Sequence, residues 1–125
     1  MAYAERNRAI KKTLELAFGK GKVSVRGDRG TAASWVNVHI DWTPLDMDQA
    51  REMRTEVWNL LRAAGHDKQI GTYGYDDPGS DYGYGSKINI DFNSPRYYRT
   101  MRMSDGRLAV LREAYCNSEW ETVDA

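Results

Sequence analysis

The side chains in this sequence that could do chemistry are few and widely spaced: two histidines and one cysteine, with 18 acidic and 18 basic residues. His39 and Asp41 lie two positions apart in an alternating stretch. That spacing puts both on one face of a strand, where acid–base work is formally open to them. His66 follows Gly65 with no Cys and no second His at ligand spacing, so neither a metal nor another cofactor is expected. Cys116 is the only thiol. It can form no internal disulfide, and it suits packing better than nucleophilic attack. Met101 and Met103 read as gap-fillers. A phosphate-cradling loop and a nucleophile elbow are both missing from the sequence. The expectation is a chain that binds and does not catalyse.

Binding chemistry is concentrated in two places. Gly71–Gly85 reads GTYGYDDPGSDYGYG, with four tyrosines, three aspartates, five glycines and no basic residue. Tyr-Gly-Tyr repeats on either side of a central Pro-Gly, the pattern of a long hairpin with tyrosines facing across two strands. Tyr73, Tyr75, Asp76, Asp77, Asp81, Tyr82 and Tyr84 therefore form either a recognition loop, rich in rigid amphipathic contact area, or an exposed structural hairpin. The aspartates lack the regular order and the distal glutamate of a calcium loop. The second set is Arg96, Tyr97, Tyr98, Arg99 and Arg102, where cations interleave with aromatics as in single-strand nucleic-acid binders. The basic amino-terminal segment would assist it.

Net charge is zero, which excludes a protein that coats nucleic acid by charge alone and equally an acidic mimic of DNA. The distribution is uneven. Residues 1–30 carry eight basic against three acidic side chains, and residues 67–93 carry two against five. This dipole would steer a partner or be neutralised within the fold. No apolar run approaches the roughly 20 residues needed to span a bilayer, and the amino terminus has no secretory hydrophobic stretch. A cytoplasmic protein with no membrane partner is expected.

The elements that must hold these residues follow from periodicity. Ile10, Leu14, Ala17 and Phe18 share a helical face over 3–18, ended by Gly19 and Gly21. Val23 and Val25 alternate in a short strand over 22–26. From Ser34 to Trp42 the period of two puts Val36, Val38, Ile40 and Trp42 on one face and Asn37, His39 and Asp41 on the other. The glycine-containing loop between the two strands predicts an antiparallel hairpin. Asp46 caps a helix over 47–64 that buries Ala50, Met53, Val57, Leu60, Leu61 and Ala64. Residues 70–75 suggest a weak strand and 87–92 a good one. Tyr97–Met103 reads as extended and 107–116 as a helix built on Leu108, Leu111 and Tyr115. The length suits one domain. The predicted class is α+β, a single antiparallel sheet of three to four strands with helices on one face.

The run from Leu14 to Pro44 carries a resemblance. Ala17-Phe18, a glycine turn, Val23-Ser24-Val25-Arg26, a polar loop, Ser34 and a strand closing on Trp42-Thr43 before Pro44 resemble large polyvalent protein-associated domain 29. The glycine of the family pattern between Thr43 and Pro44 is absent here. The resemblance implies an accessory protein of a phage or other mobile element. It also implies a host protein or a defence complex of the CRISPR type as partner, inhibited by occlusion. It supplies no catalytic residue.

Overall fold

The computed structural model describes residues 3–27, 34–72, 86–113 and 119–123. Helix α1 (Tyr3–Phe18) is followed by β1 (Val23–Gly27), β2 (Val36–Ile40) and α2 (Met47–Ala63). A 3-10 turn (His66–Lys68) precedes β3 (Ile88–Phe92), β4 (Arg99–Arg102), β5 (Leu108–Leu111) and β6 (Trp120–Val123). The fold is α+β.

In α1 the buried stripe is Arg6, Ile10 and Leu14, with Phe18 packed on the core beyond them. Successive steps of four residues run through Arg6, so Ala17, expected on this face, is exposed. Gly19 adopts φ of 105° and donates its N–H to the Glu15 carbonyl at 2.8 Å. This is the left-handed cap that glycine adopts without steric cost.

The first sheet has the order β1-β2-β3. β1 and β2 form the expected antiparallel hairpin, with Val25 opposite Val38 and Val23 opposite Ile40. β2 and β3, however, are parallel, pairing Val36 with Ile88, Val38 with Ile90 and Ile40 with Phe92. The expectation of an antiparallel sheet throughout is corrected here, and α2 supplies the reason. Its 17 residues reach about 25 Å, longer than a five-residue strand, and carry the chain back to the end where β2 began. Val36, Val38 and Ile40 are buried, as is every second residue of β3. Trp42 lies beyond β2 and meets Phe92 edge to face, ring centroids 5.2 Å apart.

Both helices cover this apolar face, and one core cluster contains Ile10, Leu14, Val57, Trp58, Leu61 and Ile70 together with the strand residues. The buried stripe of α2 is Ala50, Val57, Trp58 and Leu61, with Met53 packed beside it. It is rotated from the expected one: Leu60 and Ala64 are exposed and Trp58 is fully enclosed. Gly65, at φ 82°, ends the helix. His66 then ties the two helices together, with Nε2 2.8 Å from the Thr13 hydroxyl and Nδ1 3.2 Å from Gln69 Oε1.

The strands β4, β5 and β6 build a second sheet, antiparallel throughout. The helix expected over 107–116 is therefore corrected over its described residues, 107–113, and Tyr115 lies outside them. Leu108–Leu111 is a central strand with Leu108, Ala109 and Val110 buried. A short, wholly apolar run does not distinguish strand from helix by periodicity. The turn before it does: Gly106 sits at φ 84°, and Met103 and Arg107 close the hairpin through a 2.8 Å backbone bond. The second sheet is joined to the first layer through residues 96–98. Arg96 and Tyr97 donate to the carbonyls of Pro44 and Leu45, and the Tyr98 carbonyl accepts from Met47.

Candidate recognition surface and the open sheet face

Tyr73, Tyr75, Asp76, Asp77, Asp81, Tyr82 and Tyr84 lie outside the described residues, and the residues flanking their segment are held together. Thr72 and Ser86 form an antiparallel bridge, and the Lys87 N–H donates to the Gly71 carbonyl at 2.7 Å. The two ends of the segment are thus clamped together immediately before β3. A side chain at 71 would meet the Lys87 stem at 3.4 Å. Since Gly27, Val36 and Ile88 share one end of the sheet by register, the β1–β2 connection and the tyrosine segment leave from the same end.

That end carries a group the sequence reading missed. Arg6 is 2% exposed, donates through Nη1 to the Ser34 carbonyl at 3.0 Å and stacks on Tyr3 at 4.6 Å. Lys87 Nζ reaches Ser34 Oγ at 3.3 Å. Two cations therefore converge on Ser34, where β2 is about to begin. Burial holds the Arg6 pKa below its ordinary value, opposed by the charge of Tyr3, yet arginine keeps its proton in proteins. Among the described residues Arg6 Nη2 and Ser86 Oγ are buried without a hydrogen-bond partner. The available signal was positional: Arg6 falls four residues before Ile10 and eight before Leu14, on the stripe that must be buried.

The uncovered face of the first sheet presents the polar residues of the alternation. Ser24, Arg26, Asn37, His39, Asn89 and Asp91 border a shallow depression of about 340 Å³. Asn89 donates to Asn37 Oδ1 at 2.9 Å, and His39 Nδ1 stands 3.9 Å from Asp91. His39 borders this depression and Asp41, the other member of the acid–base pair, is not among its lining residues. Asn93 lies between them, its Oδ1 3.2 Å from His39 Nε2 and its Nδ2 donating to Asp41 Oδ1 at 2.9 Å. Asp41 also faces Lys22 at 3.6 Å.

The Asn93 hydrogen bond first, and the Lys22 charge second, hold the Asp41 carboxyl below the ordinary carboxylate range. A group depressed in the folded state contributes stability above its unfolded pKa and loses it as pH falls through the folded value. Replacing Asn93 with alanine should therefore raise the Asp41 pKa toward the ordinary range, read from its carboxyl carbon in an NMR titration. An unmoved titration would mean that Lys22 alone sets it.

The arginine–tyrosine set is divided by the second sheet. Arg96, Tyr98 and Arg99 are exposed. Tyr97 is half-buried beneath Arg112, 5.4 Å from the guanidinium carbon, and Arg102 turns back to donate to the Gly106 carbonyl at 2.9 Å. On α1, Arg8, Lys11 and Lys12 are exposed. Cys116 lies outside the described residues. Among the described residues no group of three His, Cys, Asp or Glu side chains is placed to hold a metal, and no helix is long and apolar enough to cross a membrane.

Comparison with family models, with curated proteins and with solved structures gives no match to the chain in any of the three.

Proposed function

We propose that this chain is a non-catalytic protein-binding module whose contact surface centres on residues 73–85, and that it acts by occluding its partner. One observation carries the reading: a segment of four tyrosines and three aspartates is clamped at its base by the Thr72–Ser86 bridge. Closing the ends of a loop removes part of the ordering cost that binding would otherwise bear. Tyrosine then supplies large contact area at small entropic cost. The resemblance over residues 14–44 names the partner class to test first, a host defence complex met by a phage or other mobile element in the cytoplasm.

Changing Tyr73, Tyr75, Tyr82 and Tyr84 together to serine should weaken binding to a partner captured from host lysate by at least about a hundredfold, since single buried aromatics at interfaces often carry 2 kcal/mol or more. Undiminished binding would overturn the assignment. The exposed trio Arg96, Tyr98 and Arg99 supports a second reading, nucleic-acid binding, and the same preparation decides it. Affinity for a single-stranded oligonucleotide that falls steeply with salt would favour this second reading.

A further inference from the structure

Among the described residues β3 is the last strand of its sheet, and its outer edge pairs with no further described strand. The Val36 N–H donates to the Lys87 carbonyl at 3.0 Å, and Val36 is in register with Ile88. In a parallel pair this places residues 87, 89 and 91 toward β2 and the backbone groups of Ile88, Ile90 and Phe92 outward. Arg54 verifies the direction independently, because its Nε donates to the Ile90 carbonyl at 3.2 Å across that edge. An open strand edge is a template for a further strand, and natural proteins usually cover or charge it.

Beside this edge runs a groove of about 250 Å³, bordered by Met47, Ala50, Arg54, Phe92, Asn93 and Pro95. Its apolar part includes Met47, which is 43% exposed although it opens a helix. Its charge is Arg54. The helix neighbours three and four positions from Arg54 are Ala50, Arg51, Val57 and Trp58, none of them acidic. Among the described residues Arg54 makes no ion pair. Asp91 also borders the groove and stands 3.9 Å from His39 on the open face. With Nε committed to Ile90, the Nη side of the guanidinium fork remains for a carboxylate, the planar partner it fits best.

We propose that the groove between α2 and the outer edge of β3 binds an extended acidic segment of a partner protein by strand addition. Main-chain hydrogen bonds to the Ile90 N–H and to Phe92 supply the affinity. A carboxylate at Arg54 and an apolar side chain against Met47 and Pro95 supply the selection. A second copy of this chain fits less well, because pairing β3 with β3 about a two-fold axis would bring the two Arg54 side chains together. The proposal does not depend on the role of residues 73–85.

The test is a titration of isotopically labelled protein with a peptide of alternating valine and aspartate, followed by its amide shifts, beside the same peptide with lysine for aspartate. Shifts at Ile90, Phe92 and Asn93 are expected, with the lysine peptide at least about tenfold weaker. Met47→Glu adds a negative charge to the groove at an exposed position in the first turn of α2, where acidic residues are favoured. It should leave the fold intact and weaken the acidic peptide by about tenfold. The four-tyrosine variant should bind this peptide as the parent does, so failure of one reading leaves the other standing. Three results would overturn the proposal: no shifts at about 1 mM peptide, equal binding of both peptides, or a dimer in the absence of peptide that Met47→Glu abolishes.

Discussion

Replacing Trp58 with alanine should cost about 3–5 kcal/mol of folding stability, the range for deleting a large aromatic side chain from a packed interior. Trp58 is fully enclosed within the cluster that joins both helices to the first sheet. Collapse around the void is hindered because the surrounding strand residues are fixed in register on both sides of β2. A loss of that size is a large part of the 5–15 kcal/mol that small domains possess. Urea unfolding followed by circular dichroism should show a much lower midpoint at unchanged slope. The indole N–H adds a sharper control. It is buried without a hydrogen-bond partner among the described residues, so the folded state bears its desolvation cost. Trp58→Phe removes that donor while keeping an aromatic ring, and it should cost less than half as much as alanine. If the two substitutions cost the same, the side chain is not packed as described.

The same residue marks the limit of what the sequence discloses. Helical spacing located α2 to within a residue, and Asp46 and Gly65 marked its ends. Its buried face was harder, because apolar residues at 57, 58, 60 and 61 admit two stripes some tens of degrees apart. Only the sheet beneath decides between Trp58 and Leu60. The β1–β2 hairpin was legible because a strict period of two gives the face of every residue and a short glycine loop gives the pairing. The parallel partner was not legible, since β3 is separated from β2 by α2 and a segment of unusual composition, and pairing across that distance is a tertiary outcome. β5 was misread for a local reason: Leu-Ala-Val-Leu has no period of its own. The preceding Asp105-Gly106 is a strong short-range hairpin signal, and it points to the strand. Of the surfaces, the open polar face followed from the alternation of β2. Arg54 was invisible because its significance depends on lying across a strand edge far away in the chain.

Replacing Asp46 with alanine should cost roughly 2–4 kcal/mol, and the loss should fall unevenly over the molecule. The carboxylate is buried at the start of α2 and works in two directions. Oδ1 accepts the Gln49 backbone N–H at 2.8 Å, a helix cap, and caps of this kind contribute about 0.5–2 kcal/mol. Oδ2 accepts the hydroxyl proton of Thr100 in β4, a charge-assisted bond worth roughly 1.5–3 kcal/mol. Gln49 completes the arrangement by accepting the Leu45 N–H at 2.6 Å. One side chain therefore starts the helix and fastens the second sheet to it. In Asp46→Asn the remaining oxygen can still cap Gln49, and the amide can donate to Thr100, so about half of the loss should be recovered. Thr100→Val removes only the link to β4. It should speed hydrogen exchange at Met101 and Ala109, paired in the β4–β5 ladder, while leaving Val38 and Asn89 in the β2–β3 ladder near the parent rate. The double variant Asp46→Ala, Thr100→Val should destabilise by less than the sum of the single variants, with a coupling of about 1 kcal/mol or more. Strict additivity would show that the cap and the link are independent and that another contact holds the second sheet. Uniform acceleration of exchange across both sheets would instead show that the two sheets unfold as one unit.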